Sequence, residues 1–355
     1  MTILILGGTG VIGSYLVNIL KKKGFDEITV TSRTRFGVFE NIKYVKGDAQ
    51  DLIFLKSILA LNKWTAIIDF MNYSTLSFNK RAKQLLEATD QYIFISSSRV
   101  YADSKVPLTE KSPRLLDISK DQNYLSTDDY ALSKARQEDI LFSSKLSNWT
   151  IVRPYITFGF NRLQLGALEK EDWLFRSLKG RSIVFTKNIS ACVTTITYGD
   201  DVAKGIISII GKDKTLGEVF QITSPKSLKW SSILDCYTKV IEEYHSTMPK
   251  VKMVELNTFI KIHPQKFQII YDRIYNRVFD CKKIHQFIDT DKFKDPIEML
   301  NNCMKSFIKK PNFNLISGKL EARRDCLTNE KTPLNDFFTF KQKLGYILYR
   351  LKILS

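Results

Sequence analysis

The chain has 355 residues, 54 lysines and arginines against 37 acids, a net charge of +17 and a hydrophobic share of 44%. That length suits two lobes and a large core, and no apolar run is long enough to span a bilayer. The cations are spread over the whole length rather than gathered in a stripe. This argues against a nucleic-acid partner and for a diffuse field that attracts an anionic small molecule such as a nucleotide diphosphate. Five cysteines, Cys192, Cys236, Cys281, Cys303 and Cys326, lack metal-type spacing and are odd in number. They read as free thiols in a reducing cytoplasm, and a chain that starts directly on a strand leaves no room for a signal peptide.

In chain order, Thr2-Ile3-Leu4-Ile5-Leu6 reads as a buried strand, and Gly7-Gly8-Thr9-Gly10-Val11-Ile12-Gly13 as a glycine turn. An amphipathic run from Ser14 to Lys23 follows. Glycines at 7, 10 and 13 let backbone N–H groups approach a pyrophosphate at the positive end of the helix. Gly7, Thr9, Gly10, Val11, Ile12 and Gly13 are therefore candidate dinucleotide contacts. Further strand-like runs at Ile28–Thr31, Ile42–Val45, Ala66–Phe70, Tyr92–Ile95 and Thr150–Val152 alternate with helical stretches. Such alternation predicts an α/β fold with a doubly wound parallel sheet of the Rossmann type. The second strand ends Thr31-Ser32-Arg33, with no acid before Glu40. A hydroxyl and a guanidinium there suit the 2′-phosphate of NADP better than the ribose diol of NAD.

The fourth run leads into Ser96-Ser97-Ser98-Arg99-Val100-Tyr101, hydroxyls at a strand end where ligands bind in open sheets. Then comes Tyr130-Ala131-Leu132-Ser133-Lys134 in a helix-permissive stretch. Positions i and i+4 share a helix face, so a phenol and an ammonium become neighbours. The cation favours the phenolate, which can take a proton from an alcohol.

Taken in this order, the glycine turn, the Ser-Ser-x-x-Val-Tyr rim and Tyr-x-x-x-Lys resemble the extended short-chain dehydrogenase/reductases. Within them the chain is similar to the NAD-dependent epimerase/dehydratase group that works on nucleotide sugars. Gly47-Asp48, Ile151-Val152-Arg153-Pro154 and Tyr198-Gly199-Asp200-Asp201-Val202-Ala203 add to the match. The resemblance implies Tyr130 as acid/base, Lys134 as the ribose ligand that lowers the tyrosine's pKa, and Ser97 as the hydroxyl that polarises the reacting oxygen. It places Asp48 and Ala49 near the adenine, and Phe70 and Met71 along the pyrophosphate. Ser98 and Arg99 stand where sugar 4,6-dehydratases hold Asp and Glu, which predicts no such dehydration and offers both as substrate contacts. Asn161 and Arg162 could reach substrate phosphates.

The same resemblance divides the chain into a cofactor lobe, 1–154, completed by about 190–223 with strands at Val193–Thr197 and Gly217–Thr223. A smaller C-terminal substrate lobe takes 155–189 and 224–310, with helices at Trp230–Tyr244 and Pro296–Ile308. The implied activity is NADPH-linked reduction of a keto or aldehyde nucleotide sugar for surface polysaccharide synthesis, in a cytoplasmic homodimer. An NAD-dependent epimerase is the alternative. A non-catalytic, RNA-associated member is a further one, although such members commonly lose the Tyr or Lys that this chain keeps.

Residues 311–355 lie outside the resemblance. There Phe337, Phe340, Leu344, Ile347, Leu348 and Leu351 recur at helical spacing among Lys341, Lys343, Arg350 and Lys352. The expected arrangement is an apolar face packed on the protein or across a dimer; peripheral contact with an anionic membrane is the other reading.

Overall fold

The structure is a computed structural model and describes residues 1–23, 27–263 and 265–351; Lys352 lies outside the described residues. Two compact units emerge. The first comprises Met1–Thr157, Thr195–Lys226 and Val278–Lys294; the second comprises Phe158–Thr194, Ser227–Arg277 and Asp295–Ser355.

The first unit is built on an eight-stranded sheet: β1 Thr2–Leu6, β2 Glu27–Ser32, β3 Gly37–Phe39, β4 Ile42–Lys46, β5 Trp64–Asp69, β6 Thr89–Ile95, β7 Trp149–Pro154 and β8 Glu218–Ile222. Their spatial order is β8-β7-β6-β5-β1-β2-β4-β3. Pairing is parallel except between β3 and β4. Ile3, Leu4, Ile5 and Leu6 are all fully buried, as expected for a strand covered on both faces. One face packs against α1 (Val11–Lys22) and the helix Gly199–Ile209, through Leu16, Leu20, Val202 and Ile206. The other packs against α2 (Leu52–Leu59) and α3 (Tyr130–Phe142), with Leu55, Ile58 and Leu141 in the core. The chain runs outward from β1 to β4 and then returns to β5 beside β1. That reversal opens a crevice at the carboxyl ends of β1 and β5, the ligand position of this sheet type.

Val193–Thr197 does not form the expected single strand of the large sheet. Val193–Thr194 pairs antiparallel with Leu228–Lys229, and Thr197–Tyr198 is a separate short strand. A β-branched run signals extended backbone without naming its partner. Val278–Lys294, assigned by the sequence to the substrate lobe, belongs to the first unit because Ile284, Phe287 and Phe293 join its core.

The second unit contains α4 (Lys170–Leu178), α5 (Trp230–His245), α6 (Pro296–Lys309), α7 (Gly318–Thr328) and α8 (Phe340–Arg350), with a parallel strand pair Ile183–Thr186 and Val251–Val254. A fully buried Arg176 on α4 binds Glu321 at 2.7 Å and Asp325 at 2.8 Å on α7, and Glu330 at 3.0 Å. Arg324 joins Asp172 at 2.7 Å. These ion pairs fix the C-terminal segment to α4. Of the tail's expected apolar face, Phe337 is buried beside Tyr346, but the face of the helix itself is turned outward: α8 packs through Gln342 and Tyr346, while Phe340 is 78%, Leu344 44% and Leu351 64% exposed. Gln342 donates to the Ile316 carbonyl at 2.7 Å, and the Tyr346 hydroxyl donates to Asp325 at 2.8 Å. Hydrogen bonds from Gln342 and Tyr346, together with the packing of the Tyr346 ring against Phe175, Ile316 and Phe337, select the packed face.

Candidate active site

Gly7 follows β1 with φ +72°, and a Cβ there would stand 2.8 Å from the Met71 sulfur. At Gly13 a Cβ would meet the Gly8 backbone at 2.7 Å, so this glycine lets α1 approach the turn. Gly10 begins α1 with no side chain capping the helix and no acid in its first turn. The space beside its Cα is open. An uncapped, acid-free helix start beside open space fits a pyrophosphate, so the residues present suit a dinucleotide.

The remaining cofactor candidates converge. Gly7, Thr9, Ser32, Arg33, Asp48 and Ala49 line one hollow of about 270 Å³, and Phe70 and Met71 close its far wall. Ser32 is buried, and its Oγ accepts from the N–H groups of Thr34 at 3.3 Å and Arg35 at 3.1 Å. Its own proton is thus left to donate. Arg33 is exposed at the rim, whereas the Arg35 guanidinium lies over the Tyr44 ring at 5.7 Å. Sequence reasoning missed Gln50, which lines the hollow and donates to the Asn72 carbonyl at 2.9 Å. It also missed Arg81, which holds the wall by donating to the carbonyls of Ala49 at 3.1 Å and Gln50 at 3.0 Å.

Tyr130 is the first residue of α3, capped by Asp129, whose carboxylate accepts from the Ala131 N–H at 3.1 Å. One turn on, Lys134 is buried, with Nζ 6.0 Å from the Tyr130 ring centre. That ammonium donates to the Ile95 carbonyl at 2.8 Å and the Met71 carbonyl at 3.5 Å, so it bridges the ends of β6 and β5. Burial lowers its pKa to about 8, against the attraction of Asp69 and Glu138. Asp69, at the end of β5, is fully buried, and burial raises its pKa. It accepts from Tyr92 at 2.8 Å and from the Met71 N–H at 2.9 Å. A carboxylate closing the apolar run Trp64–Asp69 was the overlooked signal for this group.

Ser97 caps the turn Ser98–Val100, its Oγ accepting from the Arg99 N–H at 3.2 Å. The Arg99 guanidinium lies 5.1 Å from the Tyr130 ring centre and 3.8 Å from Asp129. Ser98 is fully buried and donates to the Arg153 carbonyl at 2.9 Å, so its hydroxyl faces the protein. Arg153 pairs with Glu138 at 2.6 Å, the carboxylate partner expected of a buried arginine at a strand end. Asn161 and Arg162 lie in the second unit; Asn161 is exposed and Arg162 reaches Glu169 at 3.4 Å.

A glycine turn at the reversal of a parallel sheet, with a Tyr–Lys face on α3, defines a Rossmann-type protein of the extended short-chain dehydrogenase/reductase class. Residues 3–223 match the NAD dependent epimerase/dehydratase family, and the chain belongs to it. The chloroplast stem-loop binding protein of 41 kDa b from Arabidopsis thaliana is 25% identical over 340 residues, covering 90% of this chain and 78% of that protein. A UDP-glucose 4-epimerase from Lactobacillus helveticus is 31% identical over 134 residues, covering 32% of this chain and 41% of that enzyme. Among solved structures, the Bordetella bronchiseptica enzyme WbmH in complex with NAD+ superposes with a TM-score of 0.67 at 15% identity, over 88% of this chain and 99% of that one. UDP-glucuronic acid 4-epimerase from Bacillus cereus, in complex with UDP-glucuronic acid and NAD, gives 0.64 at 15% identity, over 88% and 100%. At such identities the structural likeness establishes the fold. None of the five cysteines is in a disulfide, and no described helix is long and apolar enough to cross a membrane.

Proposed function

We propose that this enzyme carries out nicotinamide-linked redox chemistry on a nucleotide-activated sugar, most simply the NADPH-linked reduction of a keto or aldehyde sugar. The observation that carries the reading is the anchored Lys134 ammonium beneath Tyr130, at the ends of β5 and β6. The bound nicotinamide supplies or accepts the hydride. Tyr130 Oη moves the matching hydroxyl proton, and the Ser97 hydroxyl holds the same oxygen. Lys134 places its ammonium 6.0 Å from the centre of the Tyr130 ring. Ser98 and Arg99 provide no carboxylate acid or base, which supports excluding 4,6-dehydration. The choice of NADP rests on buried Ser32 and exposed Arg33, which both line the hollow, and on the absence of an acid at the end of β2.

A titration of the protein with NADPH and NADH, followed by turnover on a panel of nucleotide keto sugars and nucleotide sugars, tests this. Tighter NADPH binding with reduction is expected. Equal or tighter NADH binding with epimerisation would move the assignment to an NAD epimerase. The Arabidopsis relative, matched along 90% of the chain, favours a second reading as a stem-loop RNA binder. Retained RNA affinity at physiological salt, with no nucleotide-sugar turnover, would establish that reading instead.

A further inference from the structure

We propose that α8 docks this chain onto an anionic lipid bilayer. Successive helical residues turn by about 100°, so Phe340, Leu344, Ile347 and Leu351 fall within an arc of about 60°. The packed residues Gln342 and Tyr346 fall on the opposite side. The apolar stripe therefore points away from the second unit's core, and Phe338, just before the helix cap, is also 65% exposed. Lys343 and Arg350 border the stripe on one side; Leu348 and Lys341 border it on the other. No acid lies between Lys341 and Leu351. The nearest one before the helix, Asp336, is engaged by Arg181 at 2.9 Å and Lys179 at 3.5 Å.

Cations on both flanks of an exposed apolar stripe complement a surface that offers hydrocarbon between anionic headgroups. The phenyl and leucyl groups enter the headgroup–acyl boundary, while the lysine and arginine stems reach up to phosphates. A second copy of the same stripe would bring flanking cations against flanking cations, since an isologous contact repeats one patch. The helix is short and single, so the association is reversible. Its capping box at Thr339 and Gln342 and its hydrogen bonds to Ile316 and Asp325 hold it formed before contact.

Flotation of the full chain at low salt with phosphatidylcholine–phosphatidylserine vesicles, against phosphatidylcholine alone, tests the proposal. Binding is expected on the anionic vesicles only. The pair Phe340→Ser with Leu344→Ser is expected to weaken it at least about tenfold, as two apolar side chains leave the boundary. Lys341→Glu with Lys343→Glu should do the same, each variant keeping the wild-type urea midpoint because the stripe is exposed. A chain that stays in the soluble fraction with anionic vesicles overturns the proposal. So does equal flotation with neutral vesicles, or a dimer that Phe340→Ser dissociates without any flotation of the wild type.

Discussion

Each unit buries a cluster of charged side chains, and the two clusters are balanced differently. In the second unit, Arg176 meets Glu321, Asp325 and Glu330 within 3.0 Å. Although burial opposes it, hydrogen bonds from Arg176 and Tyr346 hold Asp325 below the ordinary carboxylate range. In the first unit, Lys134 donates to two backbone carbonyls, the only hydrogen-bond partners it has among the described residues, and its pKa falls to about 8. A charge met by several opposite partners ties elements together. One held by carbonyl dipoles stays close to titration at working pH, which is what acid–base chemistry requires.

The largest effect should come from breaking the balanced cluster. Arg176→Met leaves Asp325 buried without its cation and Glu321 with Arg324 alone, and should destabilise the second unit by about 3–5 kcal/mol, read from urea unfolding. Asp325 has a lowered folded pKa, so its share of stability is present above the unfolded value. It is lost as pH falls through the folded value. Acid should therefore weaken the wild type more than Arg176→Met. An unchanged urea midpoint in this variant would remove the structural half of the comparison.

Much of the first unit was legible because its signals are local. The parallel strands were read to within a few residues from apolar runs, while the short antiparallel β3 was missed; the glycine turn and Tyr130–Lys134 were read from spacing together with their order along the chain. Asp69 was not recognised as a neighbour of Lys134, since its proximity arises from strand order; Glu138, at i+4 from Lys134 on α3, was open to the same helix-face argument and was missed. The tail misled for a different reason. Periodicity reveals that α8 has an apolar stripe but not which side packs. The packed side is chosen by Gln342 and Tyr346 reaching Ile316 and Asp325, and by Gly318, whose missing Cβ lets the Gln342 backbone come close.

At the cofactor hollow, replacing Ser32 and Arg33 together with glycine and alanine should cost NADP binding about 1.5–3 kcal/mol, the worth of charge-assisted hydrogen bonds, and NAD binding less. Paired fluorescence titrations measure it; an unchanged ratio of affinities would place 2′-phosphate recognition elsewhere.

The smallest effect is a change of slope with pH. Lys134 has a folded pKa of about 8 against an ordinary 10.5. Below pH 8 both states are protonated and the burial cost is fully present. Between 8 and the unfolded value the folded state binds fewer protons, so stability rises with pH. Turnover should fall over the same window as the cation beside Tyr130 is lost. Lys134→Met should flatten both slopes, and retention of either would assign it to another group.

The most direct measurement of the central claim is turnover and NADPH affinity of Tyr130→Phe, determined on one preparation. The account predicts a rate lower by about 10²–10⁴-fold, the usual contribution of a positioned acid–base group, with NADPH affinity and the urea midpoint unchanged. A variant that keeps more than about a tenth of the wild-type rate would contradict it.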